Sequence, residues 1–158
     1  SGSNPELRIM FTVSPIRHLR DGAHENQLSK SVLLLFVDEL CRMYPDRCIY
    51  FPSYEIVMDE LRDYRFYDAG MTHPNEQAIR YIWERFSEAC FSEETRTLNR
   101  EWERLEKALN HRPLTPDKDT FRDFTVQNLF KLKKIREKYS YFDLSKEIDS
   151  LELFLKTL

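Results

Sequence analysis

LSKSVLLLFVDELCRMYPDRCIYF, residues 28–51, combines two hydrophobic patterns of different period. In its first part, apolar side chains recur every three or four residues: Leu28, Val32, Leu35, Phe36, Leu40 and Met43. This spacing predicts a helix over residues 28–43 that is buried on a wide face. The second part, Cys48 to Phe51, is a short apolar run before Pro52, which is typical of a buried parallel strand.

The segment before this helix predicts a second strand. Apolar and polar residues alternate over residues 7–13, and the pattern stops at Pro15. Residues 14–27 show no period and are predicted to form a loop, with Asn26 or Ser29 capping the helix. Strand, helix and strand in this order predict a right-handed parallel βαβ unit. Because two strands alone do not make a stable sheet, we expect this unit to belong to a larger α/β domain or to pair with another copy.

Another helix is predicted beyond the second strand. A short helical turn over residues 54–62 and an aromatic loop over residues 63–71 precede it. Pro74 is typical of the first helical position, so His73 is predicted to be the N-cap or to lie beside it. The apolar stripe of this helix is Ala78, Ile82, Phe86 and Ala89.

The last third of the chain predicts an α-helical extension. Two longer stripes are separated by Pro113 and Pro116, and a shorter stripe follows Asp143, a predicted cap. The stripes comprise Leu98, Trp102, Leu105 and Leu109; Phe121, Phe124, Leu132 and Ile135; and Leu144, Ile148, Leu151 and Leu155. We therefore divide the chain into a tag remnant and linker at 1–4, an α/β part at 5–92 and a helical extension at 93–158.

Composition disfavours several classes of partner. The 158 residues are 41% apolar and carry a net charge of −3, which gives no general attraction to nucleic acid or anionic membrane. The five basic residues over 131–138 have acidic neighbours, so a solvated helix face is predicted. The longest apolar run is far shorter than the roughly 20 residues that a bilayer requires. With three widely spaced cysteines and no signal peptide, these features predict a cytoplasmic protein.

No cofactor is predicted, and the histidines do not have a metal-binding spacing. His18, His24 and His73 form no HxH, HxxxH or HExxH motif, so we predict no metal site. The aromatic loop residues Tyr64, Phe66 and Tyr67 are predicted to pack against the sheet edge, with stacking on a base or sugar as the alternative.

Two strings resemble a known family. FTVSPIRHLRDG, residues 11–22, and YFPSYEIVMDELRDYRFYDAGMTHPNEQAIRYIWERF, residues 50–86, resemble GSCFA-domain proteins, a branch similar to the SGNH or GDSL hydrolases. The resemblance covers about residues 8–92 and looks like the C-terminal half of the family domain only. It implies a flavodoxin-like parallel sheet in which the two strands here are the fourth and fifth.

The resemblance also implies site residues. His73 would be the catalytic histidine, on a loop beyond a strand's carboxyl end, where open α/β sheets bind ligands. Arg17 and His18 follow the other strand, so they are candidates for substrate binding, with a solvated loop as the alternative. The family pattern has aspartate where this chain has Gly70, and Asp68 is the candidate for orienting the imidazole instead.

The family's glycine-serine motif is absent from this chain. None of the three glycines begins a Gly-x-Ser elbow, and Ser14 and Ser53, which follow the two strands, are predicted to be loop residues. We therefore expect the histidine region of a bacterial ester hydrolase, acting on a small-molecule or carbohydrate ester, that is inactive alone. The alternative is a non-catalytic interaction module that forms homo-oligomers through exposed strands or the helical tail.

Overall fold

The computed structural model describes residues 4–110 and 118–157. The predicted tag remnant at residues 1–3 and the predicted helix break at Pro113 and Pro116 lie outside the described residues. The chain divides into two compact units, Ser1–Phe91 and Ser92–Leu158. Most described residues are helical, and the described sheet has two parallel strands, so the fold is of the α/β class with a large helical share.

The first unit contains the predicted βαβ arrangement. Strand β1 (Ile9–Phe11) pairs in parallel with strand β2 (Cys48–Tyr50), and helix α1 (Gly22–Met43) connects them. Ile9 lies opposite Cys48 at the start of this pairing. Both strands are shorter than predicted, because the ladder extends over only three residue pairs.

Helix α1 begins six residues earlier than the hydrophobic period predicts. Its N-cap is Asp21, which makes no side-chain capping hydrogen bond, and its first residue, Gly22, has a φ of 82°. Neither Asn26 nor Ser29 caps the helix, because both lie within it; Oδ1 of Asn26 accepts a hydrogen bond from the His18 amide at 3.0 Å. The first turns of α1 consist mainly of polar residues, which are compatible with a solvated helix. The prediction missed them because it relied on the spacing of apolar residues.

The buried face of α1 is not the predicted one. Lys30 and Val37 are the buried residues of this helix. Most of the predicted face is exposed, with relative exposures of 47% for Leu28, 65% for Val32, 70% for Leu35, 58% for Phe36 and 57% for Met43. The run over residues 32–37 is apolar in every direction, so its period does not determine which side faces the sheet.

The core of the first unit lies beyond the carboxyl end of β2. Helix α2 (Ser53–Glu55) continues into a π-helical turn (Ile56–Glu60), followed by a 3-10 turn (Tyr64–Phe66) and helix α3 (Glu76–Cys90). A buried cluster joins these segments: Phe51, Ile56, Val57, Leu61, Tyr67 and Ala78. This cluster holds the loop between the 3-10 turn and α3 close to the end of the sheet.

The predicted N-cap of α3 is wrong. Helix α3 begins at Glu76, and Asn75 is its N-cap, accepting a hydrogen bond from the Ala78 amide. Pro74 instead forms an antiparallel bridge with Tyr67, so His73 lies in the preceding loop. Asparagine is one of the strongest N-cap residues, and its carboxamide outweighs the start signal from proline.

The described part of the second unit contains three helices, α4 (Glu93–Leu109), α5 (Lys118–Lys138) and α6 (Ser145–Thr157). Their buried cluster comprises Leu98, Leu105, Leu132, Ile135, Tyr139, Leu144 and Ile148. Most of these belong to the predicted stripes. Oδ1 of Asp143 accepts a hydrogen bond from the Ser145 amide at the start of α6. None of the described helices combines the length and apolar content that a bilayer crossing requires.

Candidate functional site

The loop that carries His73 is closed by short backbone hydrogen bonds. The Asp68 amide donates to the His73 carbonyl at 2.9 Å, and the Met71 amide donates to the Asp68 carbonyl at 2.9 Å. Nδ2 of Asn75 donates to the Arg65 carbonyl at 2.6 Å, which ties the end of the loop to the 3-10 turn. The loop is therefore a structured hairpin between buried Tyr67 and helix α3.

His73 faces the carboxylate of Asp68. The Nδ1 atom of His73 lies 3.6 Å from Oδ2 of Asp68, and both side chains are about half exposed. The other carboxylate oxygen, Oδ1, accepts from the amides of Thr72 at 3.3 Å and His73 at 3.4 Å. Two backbone donors thus orient the carboxylate beside the ring, so Asp68 can hold the imidazole through Nδ1 and leave Nε2 to exchange a proton.

The absence of a side chain at Gly70 fits this arrangement. A β-carbon there would lie 3.5 Å from Oδ1 of Asp68 and 3.6 Å from Oγ1 of Thr72. A larger acidic side chain would bring a second carboxylate close to Asp68. Gly70 therefore leaves one carboxylate beside the imidazole.

Arg17 lies against the histidine loop, as the strand order predicts. Its amide donates to the Thr72 carbonyl at 3.2 Å, and its Nη1 atom lies 3.4 Å from the Met71 carbonyl oxygen. Its guanidinium carbon lies 4.3 Å from the ring centre of Tyr67 and 5.7 Å from that of Tyr64. Arg17 thus joins the segment after β1 to the loop after β2, and its charge is stabilised by aromatic faces.

Met71 has an unusual backbone conformation within this loop. Its φ of 56° is the one positive value among the described residues other than glycine. The left-handed region is unfavourable for a side chain with a β-carbon, and such strain persists where surrounding contacts support it. The contact between Arg17 and the Met71 carbonyl is one such contact.

His18 and the two candidate serines do not complete a nucleophilic site. Within the described part of the chain, the exposed imidazole of His18 makes no hydrogen bond to the His73 loop. Oγ of Ser14 accepts from the Ile16 amide at 3.3 Å. Ser53 is buried, and its hydroxyl donates to the Val13 carbonyl at 3.0 Å and lies against that of Thr12.

The sequence interpretation missed the role of the tyrosines. Tyr67 was predicted to pack at the sheet edge, whereas its ring also supports the Arg17 guanidinium. The signal that relates these residues is spatial, because they are about fifty positions apart and belong to the two separate strings. Over residues 4–110 and 118–157, no group of three or more histidine, cysteine or acidic side chains is arranged to hold a metal ion.

Comparison with protein families gives two matches. The model described as the GSCFA family matches residues 1–86, and the model described as the GSCFA domain protein, C-terminal domain, matches residues 102–157. The expectation that the chain resembles only the C-terminal half of one family domain is therefore contradicted in part. Residues 102–157, which we interpreted as an added extension, match a family domain of their own. No curated protein and no solved structure matches the chain.

Proposed function

Because this chain belongs to the GSCFA family, we propose that it supplies the general-base histidine of an SGNH-like ester hydrolase but not the nucleophile. The substrate class would be a small-molecule or carbohydrate ester. The observation that carries this proposal is the His73 imidazole, 3.6 Å from the carboxylate of Asp68 in a structured loop. The sheet of the whole enzyme would be flavodoxin-like, with β1 and β2 as two of its strands.

The proposed chemistry follows from the position of the ring. His73 and Arg17 are both supplied by segments that follow the carboxyl ends of parallel strands, where open α/β sheets place their ligands. Nε2 of His73 would accept the proton of an attacking serine hydroxyl, and Asp68 would stabilise the resulting imidazolium. His18 follows the same strand as Arg17 and would contact the substrate from the rim of the site.

The serine would come from polypeptide other than these residues. The family's glycine-serine motif is absent from the sequence, and the buried hydroxyl of Ser53 is engaged with backbone and Thr12. Without a nucleophile and a set of oxyanion donors, acyl transfer has no first step.

Hydrolysis of 4-nitrophenyl acetate tests this proposal in two stages. We expect the chain alone to show the background rate, and His73→Ala and the matched control His24→Ala to do the same. Addition of a GSCFA-family segment that contains the glycine-serine motif should then produce turnover that His73→Ala abolishes and His24→Ala retains. Turnover by the chain alone that is lost in His73→Ala would contradict the missing nucleophile, and complemented turnover that survives His73→Ala would contradict the general base.

A second candidate function is a non-catalytic interaction module. The observation that favours it is the exposed apolar face of α1, because contiguous exposed apolar patches mark interaction surfaces. Self-association by itself is also compatible with the hydrolase proposal, since an enzyme can self-associate.

A further inference from the structure

Helix α1 has a second apolar face, which we call the outer face: Leu28, Val32, Leu35, Phe36 and Met43. Each of these side chains is between 47% and 70% exposed. With about 3.6 residues per turn, they lie on the opposite side of the helix from buried Lys30 and Val37. A helix that is apolar on opposite sides is normally buried on both of them.

The order of residues on the outer face is nearly symmetric about its centre. Consider two α1 helices packed antiparallel so that they cross between Leu35 and Phe36. Leu35 of each copy would then lie opposite Phe36 of the other copy. Leu28 and Met43, which are equally far from that centre, would also lie opposite each other. Apolar residues thus meet apolar residues at the middle and at both ends of the contact, and the two helix dipoles would run in opposite directions.

We propose that the outer face binds a second copy of this chain, with α1 packed antiparallel against α1 about a two-fold axis. This dimer would give the interaction module its partner, so it rests on the second candidate function and is independent of the hydrolase proposal. Five large side chains per copy, burying roughly 100 Å² each, would cover about 1,000 Å² in total, at the lower limit of specific interfaces.

One charged residue, Glu39, lies on the outer face itself, between Leu28 and Val32 around the helix. Val32 would lie opposite Glu39, whose carboxylate is 3.5 Å from the Arg42 guanidinium of its own helix. Arg42 also pairs with Asp38, so each carboxylate has a cationic partner within its own helix, and the three side chains together carry a net charge of −1 in each copy. Because the interface is small and contains an acidic residue, we expect weak self-association, in the micromolar range.

Sedimentation equilibrium of the full chain, from about 1 to about 300 μM, tests the proposal directly. We expect a reversible monomer and dimer. Leu35→Glu and Phe36→Lys should each weaken self-association by at least about 30-fold, the size of a hot-spot effect. An equal mixture of these two variants should dimerise again, because the carboxylate introduced into one copy would face the ammonium group introduced into the other.

Two comparisons make the test specific. Ile79→Glu changes an equally exposed apolar residue, but on α3, and should dimerise like the unchanged chain. Leu35→Gln repeats the Leu35 test without a charge, and circular dichroism shows whether each variant retains its helices. A monomer throughout the concentration range would overturn the proposal, as would a dimer that tolerates Leu35→Glu and Phe36→Lys or that Ile79→Glu dissociates.

Discussion

At the scale of single residues, the histidine loop depends on one carboxylate serving several donors. Asp68 accepts hydrogen bonds from the amides of Thr72 and His73 and also faces the His73 ring. These bonds fix the direction of the carboxylate while leaving it partly in water, where a single charge pair contributes only modestly. Its main effect on the ring is therefore orientation and choice of tautomer.

Asp68→Asn should shift the tautomer of the neutral His73 ring. The carboxylate of Asp68 favours a hydrogen on the Nδ1 atom that faces it, whereas a carboxamide can also donate. We therefore expect the ratio of the Nδ1–H to the Nε2–H form to fall about two- to fivefold. The ring 15N chemical shifts measure this ratio. Asp63→Asn, in which the replaced carboxylate contacts Arg65, is the matched control. An unchanged tautomer in Asp68→Asn would mean that the carboxylate does not orient the ring.

Arg17→Lys should loosen the histidine loop. Lysine retains the charge but loses the planar contact with Tyr67 and the directed contact with the Met71 carbonyl. We expect the amides of Asp68 and Met71 to exchange hydrogen several-fold faster, as loss of a stabilisation of about 1 kcal/mol implies. Arg65→Lys removes a similar contact with Phe66 and should leave these two amides unchanged. Equal exchange rates of the Asp68 and Met71 amides in the two variants would mean that Arg17 does not stabilise the loop.

Part of this site was predictable from the sequence, for a clear physical reason. Segments after parallel strands end at the same sheet edge, so Arg17 was correctly expected beside the loop of His73. The stacking of Arg17 on Tyr67 and the left-handed Met71 depend on how two distant segments pack. A local pattern contains no information about such contacts.

At the scale of elements, helix α1 shows where a hydrophobic period is ambiguous. Two apolar faces give the same three- and four-residue spacing, and the one with Val37 faces the core while the outer face is exposed. Lys30 adds to the ambiguity, because a lysine normally indicates a solvent-exposed face, whereas this residue is only 2% exposed. The existence and end of the helix were predictable, whereas the orientation depends on tertiary packing.

Lys30→Met should stabilise the protein at neutral pH. Burial lowers the pKa of the Lys30 ammonium, so the folded state binds this proton less tightly than the unfolded state. The resulting cost is present below the lowered pKa and disappears as the pH rises to the unfolded value of about 10.4. We expect a gain of about 1 kcal/mol in unfolding free energy at pH 7 and little difference above pH ~10.5.

Urea unfolding of the Lys30→Met variant and the unchanged chain at several pH values measures that gain. The control is Lys133→Met, because Lys133 is ion-paired with Glu152 on the surface of the second unit. Its effect on the unfolding free energy should not show the same decrease with rising pH. A benefit of Lys30→Met that grows with pH would reverse the sign and refute a buried ammonium.

Asn75→Ala should destabilise α3 more than His73→Ala does. The Asn75 side chain accepts from the Ala78 amide and donates to the Arg65 carbonyl, whereas His73 lies outside the helix. Loss of an N-cap costs about 1 kcal/mol, and loss of the second bond adds to this. Chemical unfolding of the two variants gives the comparison. A larger loss in His73→Ala would restore the original prediction that His73 caps the helix.

At the scale of the whole molecule, each unit has its own hydrophobic cluster. One cluster draws all its buried residues from Ser1–Phe91, and the other from Ser92–Leu158. The helical cluster was largely predictable because its stripes are long and clearly periodic. The sheet was predictable only as a βαβ unit. The local pattern of these residues does not encode which other strands would pair with either edge of the sheet.

Leu132→Ala should weaken the second unit selectively. Leu132 is fully buried in the helical cluster, and its truncation should cost about 2–5 kcal/mol. Because that cluster contains only residues of Ser92–Leu158, amide exchange should accelerate across α4, α5 and α6, while the amides of β1 and β2 retain their protection. Val57→Ala, which truncates a buried residue of the other cluster, should give the converse pattern. Loss of protection in both units with either variant would contradict this independence and would mean that the two units unfold together.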